Sequence, residues 1–136
     1  MKPDPVVTSK RWLRQAEPDL IAGERDFQAA DYSESCYHAE QASQKALKGF
    51  LFLTGERRVM EHSVFVLATR CKERNASFEP VVEPGRILDQ YYVGTRYPDA
   101  VLEPAAPFEL YSQDQARQAL DTAGRIIRIS RSQLPG

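Results

Sequence analysis

Between Asp31 and Gly55 the chain carries an uninterrupted helical pattern, and no other segment constrains the fold as strongly. Tyr32, Cys36, Ala39, Ser43, Ala46, Phe50 and Leu53 step alternately by four and three residues. That spacing puts all of them on one face of a helix. The small residues in the middle, Ala39, Ala42, Ser43 and Ala46, let a neighbouring helix approach closely. Asp31 is a candidate cap with Glu34 three residues later, and Gly55 a candidate stop. An apolar seam is enough to dock a helix. The polar residues Glu34, His38, Gln41, Lys45 and Lys48, which share a second face, need a separate reason.

The rest of the chain reads as helices too. Residues 1–8 hold Pro3 and Pro5 and suggest a loose lead-in. Trp12, Ala16, Leu20, Gly23 and Phe27 give the stripe of a first helix over about Ser9 to Ala30, bent or frayed at Pro18. Val64, Leu67, Ala68 and Cys71 face inward on a third helix from His62 to about Arg74. Pro84 opens a short helix through Ile87, Leu88 and Tyr91. Residues 93–111, with Gly94, Pro98, Pro104 and Pro107, form an ordered loop. Ser112 and Gln115 make a capping box for a last helix ending near Ser132, with Ala116, Ala119, Leu120, Ala123, Ile126 and Ile127 as its apolar face. No segment alternates as a strand does. The expected fold is all-α: an antiparallel four-helix up-and-down bundle with one short extra helix, a single domain over 1–136 with its core at about 10–132.

Composition narrows the function. Hydrophobic residues are 42% and charged residues 27% of the 136, with a net charge of −1. Bulk charge therefore gives no pull toward DNA or an acidic membrane, and an anion site has to be local. Cys36 and Cys71 form no CxxC, and free thiols in a reducing compartment are the expectation, with a disulfide left open. Met1-Lys2-Pro3-Asp4-Pro5 shows no signal peptide, and no apolar run approaches the roughly 18 residues of a membrane span. The expected location is the cytoplasm, with no membrane partner.

Three places can carry chemistry. The first is the stripe on the second helix, read either as a solvated face or as an anion site in which Lys45 and Lys48 meet phosphate and Gln41 fixes orientation. The second is Tyr91 to Asp99. Arg96 is a fork-shaped anion donor there, Tyr92 and Tyr97 can stack on a base, and Asp99 can hold Arg96. The same residues also suit a loop pinned by tyrosine packing. The third is His62, an acid/base or capping group at a helix start. Glu34 and His38 with His62 are the nearest approach to a metal set, and no metal or other cofactor is expected. Cys36 and His38 point to different helix faces and make no nucleophile pair. No P-loop, GxGxxG or paired ExxH pattern is present.

Residues Ala16 to Leu20, Gln41 to Lys48 and Tyr92 to Asp99, taken in that order and spacing, resemble the HEPN domain, the higher-eukaryote and prokaryote nucleotide-binding domain. Ala16-Glu17-Pro18-Asp19-Leu20 is similar to the family's A-x-x-D-L. Gln41-Ala42-Ser43-Gln44-Lys45-Ala46-Leu47-Lys48 is similar to Q-A-x-E-K-A-L-K. Tyr92-Val93-Gly94-Thr95-Arg96-Tyr97-Pro98-Asp99 resembles Y-x-x-x-R-Y-P-D. The resemblance implies an all-α domain that dimerises, works beside a minimal nucleotidyltransferase in a toxin–antitoxin-like pair, and binds nucleotide or RNA phosphate. Gln41, Lys45, Lys48, His62, Arg96, Tyr97 and Asp99 are the candidate site. Apolar residues on the outer helices, Trp12, Leu13 and Ile21, point the same way toward a homodimer. Some branches of the family are metal-independent ribonucleases with a late R-x4-6-H motif. Here no histidine follows Arg96, Arg57 and His62 have that spacing at an earlier place, Gln44 replaces the family glutamate, and the family's T-H-D reads Glu61-His62-Ser63. No catalytic residue is assigned. A ribonuclease toxin and a non-catalytic interaction module are the alternatives.

Overall fold

The computed structural model describes residues 3–136 as five α-helices and three short 3-10 turns, with no strand among the described residues. The first helix, α1, spans Pro5–Gln28 and starts earlier than Ser9. The Asp4 carboxylate accepts from the amides of Val6 at 2.9 Å and Val7 at 3.4 Å, and Pro5 takes a first-turn position that needs no N–H. The expected lead-in is therefore helical from Pro5 onward. Met1 and Lys2 lie outside the described residues. Pro18 sits inside α1 at an exposed position, and the helix neither begins nor ends there.

The end of α1 is a Schellman turn. The Asp31 amide donates to the Asp26 carbonyl at 2.8 Å and the Ala30 amide to Phe27 at 3.0 Å, with Ala30 at φ 58. Next comes α2, Tyr32–Leu53. Asp31 stands at its cap position, but its side chain makes no cap hydrogen bond, so the expected capping box is not formed. Gly55 does close the helix, at φ 102.

The remaining helices are α3 (Val64–Arg74), α4 (Glu79–Asp89) and α5 (Gln113–Ser132). Ser63, not a residue before His62, caps α3, so His62 lies just outside it. Pro80 occupies the first turn of α4 and Pro84 lies within the helix, so the short helix starts five residues before Pro84. The Ser112–Gln115 capping box of α5 is formed, with bonds of 2.8 and 3.1 Å. Its apolar face is buried throughout. The segment 93–111 is built from turns and the 3-10 pieces Pro98–Ala100 and Pro107–Glu109.

Side-chain register gives the packing. Lys45 of α2 pairs with Asp19 of α1, and His38 pairs with Asp26 at 2.6 Å. Seven residues back on α2 match seven forward on α1, so the two helices are antiparallel. The Ser35 hydroxyl donates to the Gly23 carbonyl at 2.8 Å, where the absent side chain lets the backbones approach. Glu17 pairs with Arg131 and Glu24 with Arg117, which sets α5 antiparallel to α1. Lys72 pairs with Glu79 across an α3–α4 hairpin. Cys36, Ala39, Ala42, Ala46, Leu47, Leu120 and Ile126 form the centre of the core at 0–1% exposure. The fold is an all-helical bundle with one short extra helix. Leu13 is part of its core and Trp12 stacks on Phe52 at 5.5 Å, which leaves Ile21 as the exposed member of that trio.

Candidate functional site

The site is organised by how deeply α2 is buried. A helix packed on several sides cannot present a solvated stripe, and α2 is covered by α1, α5 and α3. Glu34, His38, Gln41 and Lys45 are each half-buried, and Lys48 is only 7% exposed. The open-solvent reading of this face therefore does not hold.

Each polar side chain of the stripe has a partner. Glu34 accepts from Arg96 at 2.6 Å, His38 Nδ1 meets Asp26, Gln41 donates to Glu40 at 2.7 Å, and Lys45 closes on Asp19. The Lys48 ammonium lies 5.8 Å from the centre of the Trp12 ring. Burial pushes its pKa down, against the pull of Glu40 and Glu61. Glu34, His38 and His62 thus face three different partners and do not form one ligand set. Among the described residues, no group of three or more His, Cys, Asp or Glu side chains is placed to hold a metal ion.

Lys45 and Arg96 are held at separate points. Arg96 is anchored at Glu34, eleven residues from Lys45 along α2. At 1.5 Å per residue that is about 16 Å. Arg96 also lies over Tyr37, with its guanidinium carbon 3.8 Å from the ring centre. The expected Arg96–Asp99 pair is replaced by Arg96–Glu34. Asp99 is exposed on the Pro98–Ala100 turn, and Tyr97 beside it is 61% exposed.

A second polar row, absent from the sequence-derived site, runs beside the first. Glu40, Gln44 and Lys48 are spaced four apart on α2 and are 0%, 5% and 7% exposed. Glu40 takes the Gln41 amide on one oxygen and the Gln44 amide, at 2.5 Å, on the other. The far end of Gln44 reaches His62 Nδ1 at 3.3 Å. Burial pushes the Glu40 carboxyl up to about 7. The two amide donors and Lys48 act against that push, while the Asp89 charge adds to it. The signal for this row in the sequence is its polar i, i+4, i+8 spacing among residues that have to be core: Ala39, Ala42, Ser43, Ala46 and Leu47.

His62 stands where this buried row meets solvent. It is exposed, and its ring stacks on Tyr92 with centroids 5.8 Å apart and 18° between planes. Tyr92 is itself 40% exposed, whereas its neighbour Tyr91 is buried at 2% and packs edge-on against Tyr111. Asp89 of α4 fixes the local backbone. Its carboxylate accepts from the Ser63 hydroxyl at 2.7 Å and from the amides of Val64 and Phe65 at 2.5 and 3.4 Å. Glu61 accepts from the amides of His62 and Ser63, which holds its carboxyl below the usual range.

The chain is similar to known proteins in sequence and in fold. A family model described as HEPN domain matches residues 9–133. A Methanocaldococcus jannaschii protein named "Putative toxin MJ1304" is 27% identical over 134 residues, covering 91% of this chain and 86% of that one. The crystal structure of TT1696 from Thermus thermophilus has a TM-score of 0.82 at 34% identity, over 91% of this chain and 96% of the other. That of ST0689, described as an archaeal HEPN homologue, has a TM-score of 0.75 at 30% identity, over 93% and 98%.

Proposed function

The chain belongs to the HEPN domain family, and on that premise we propose that it is the toxin-like member of a toxin–antitoxin-like pair and binds RNA or nucleotide phosphate around His62. The observation that carries this reading is the His62–Tyr92 stack, two exposed rings above a buried polar row. Tyr92 offers a face to a base, and the imidazole edge faces the sugar–phosphate. Lys45, next to Gln44 on α2, and Arg96, four residues after Tyr92, supply the cations, and the buried Lys48 adds positive field without contact. Gln41, Tyr97 and Asp99 take supporting places, with Tyr97 a second stacking surface.

The cations are already paired, so a phosphate has to displace a carboxylate. Arg96–Glu34, about a third exposed, is worth roughly 0–1 kcal/mol, whereas the half-buried Lys45–Asp19 pair is screened less and costs more to open. Reaching both Lys45 and Arg96 takes an extended polyanion, and this favours an RNA strand over a mononucleotide. Fluorescence anisotropy with a short single-stranded RNA at low salt tests the reading. Binding is expected to weaken as salt rises and in Lys45→Ala, His62→Ala and Tyr92→Ala. Wild type that ignores both RNA and millimolar nucleotide, or variants that bind like wild type, overturns it.

A ribonuclease reading has one observation in its favour: His62 is exposed, and its Nε2 has no hydrogen-bond partner among the described residues. In that reaction the 2′-hydroxyl attacks the adjacent phosphorus and His62 takes the hydroxyl proton. The P–O5′ bond breaks to leave a 2′,3′-cyclic phosphate and a 5′-oxygen that takes a proton from water, and Arg57 or Arg96 steadies the charge on the phosphorane. RNA left intact by the purified protein, or cleaved equally by His62→Ala, rejects it.

The proposal extends to partners. Two copies pair through the outer face of α1, where Val7 and Ile21 are 53% and 52% exposed. Light scattering on wild type and Ile21→Asp distinguishes dimer from monomer. The antitoxin-like partner is a minimal nucleotidyltransferase, which co-purification of the two proteins tests. Cys36 and Cys71 are free and buried, which suits the reducing cytoplasm proposed as its location. No helix of the described residues is long and apolar enough to cross a membrane.

A further inference from the structure

We propose that Glu40, acting through Gln44, fixes the tautomer of His62, so that Nδ1 carries the proton and Nε2 is left as an outward-facing acceptor. Glu40 is fully buried, and both its oxygens are engaged by side-chain amides, Gln41 at 2.7 Å and Gln44 at 2.5 Å. Above about pH 7 Glu40 is a carboxylate and can only accept, so Gln44 has to present its NH2 end to it. That leaves the Gln44 carbonyl oxygen for His62, 3.3 Å from Nδ1. A carbonyl oxygen also only accepts, so Nδ1 donates. In a neutral imidazole the other nitrogen then holds a lone pair.

The ring is fixed in a second way. Tyr92 stacks on it nearly in parallel, which sets the plane in which the Nε2 lone pair points. Among the described residues Nε2 has no hydrogen-bond partner of its own, so it is free to take a proton or accept a hydroxyl hydrogen. A buried charge thereby sets the state of an exposed ring through one neutral amide. Glu40 and Gln44 are positioning residues, since neither is exposed enough to meet a ligand. Their importance for function rests on the proposed role of His62, but the tautomer itself is a separate physical claim.

The chain has two histidines, so long-range proton–nitrogen spectra of the whole protein labelled with nitrogen-15 histidine resolve both. His62→Gln assigns the signals. At pH 8 the wild type is expected to show His62 with Nδ1 protonated and Nε2 bare. Gln44→Leu removes the acceptor and is expected to give a mixture of tautomers. Glu40→Gln keeps shape but removes the charge that orients Gln44, and is expected to give a mixture as well, although residue 40 does not touch the ring. Wild-type His62 protonated on Nε2, or a His62 unchanged by Gln44→Leu, overturns the inference. A change in Gln44→Leu without one in Glu40→Gln overturns the part assigned to Glu40. Failure to bind RNA with the tautomer intact would reject the proposed function and leave this inference standing.

Discussion

Arg96 lies over the ring of Tyr37 at 3.8 Å while donating to Glu34 at 2.6 Å, so one side chain ties the 93–111 segment to α2. The pair is about a third exposed, and solvent screening keeps its share small. With the ring contact added, Arg96→Ala is expected to cost about 1 kcal/mol in a urea melt. Arg96→Lys is expected to recover little, because an ammonium neither lies flat nor forks. The clearer readout is proteolysis with an enzyme that does not need arginine. Cleavage within 93–111 should speed up in both variants, and unchanged cleavage would mean that the segment is held elsewhere.

The same pair shows what can be read from the sequence and what cannot. Features closed within a few residues are legible. The Ser112–Gln115 capping box, the Gly55 stop and the apolar seam of α2 all follow from local spacing. Closeness in sequence matches Arg96 to Asp99, whereas its partner Glu34 is 62 residues away. Asp31 has the residue type of a cap, but the Schellman turn uses its backbone and its side chain makes no cap bond. At the candidate site, sequence reasoning names Gln41 and Lys45 and leaves out their neighbours Glu40 and Gln44. Polarity in a sequence suggests exposure, and only the packing of α1, α3 and α5 around α2 reveals that this row is buried.

Ala30 holds a left-handed φ of 58 at the end of α1, where glycine is the usual residue. A Cβ in that region costs roughly 1 kcal/mol or more. Glycine also loses more backbone entropy on folding, which offsets about half of the relief. Ala30→Gly is therefore expected to stabilise the protein by roughly 0.5 kcal/mol, seen as a later midpoint in a urea melt. A loss of stability would show that the turn is not strained at this residue.

Gly85 permits the contact that aims Asp89 at α3. A Cβ there would stand 3.1 Å from the backbone nitrogen and Cα of Phe65 and 3.2 Å from the carbonyl carbon of Val64. Backbone atoms cannot step aside as a side-chain end can. Alanine gains about 1 kcal/mol in helix propensity, but overpacking costs roughly 1–3. Gly85→Ala is expected to lose about 1 kcal/mol net and to loosen the Asp89 cap. Asp89→Ala removes the cap outright, at about 2 kcal/mol. Hydrogen exchange at Val64 should rise in both variants. A Gly85→Ala protein more stable than wild type would mean that α4 can move off α3 freely.

Glu40 makes a contribution to stability that falls with rising pH. Its carboxyl is raised to about 7 by burial, with Asp89 on α4 adding to the rise and Gln44, Gln41 and Lys48 on α2 opposing it. In the unfolded chain a glutamate titrates near its ordinary value of about 4.3. Between these values Glu40 holds more of its proton in the folded than in the unfolded chain, so its contribution to stability is highest below about pH 4.3 and is lost as pH rises through about 7. The full difference is on the order of 3 kcal/mol. Glu40→Gln cannot ionise and should lack this slope. Urea melts from pH 5 to 9 should therefore show the variant gaining on wild type as pH rises, with the two curves running parallel above pH 8. Parallel curves across the whole range would mean that Glu40 is already ionised at pH 5, held so by Lys48 and its two amide donors.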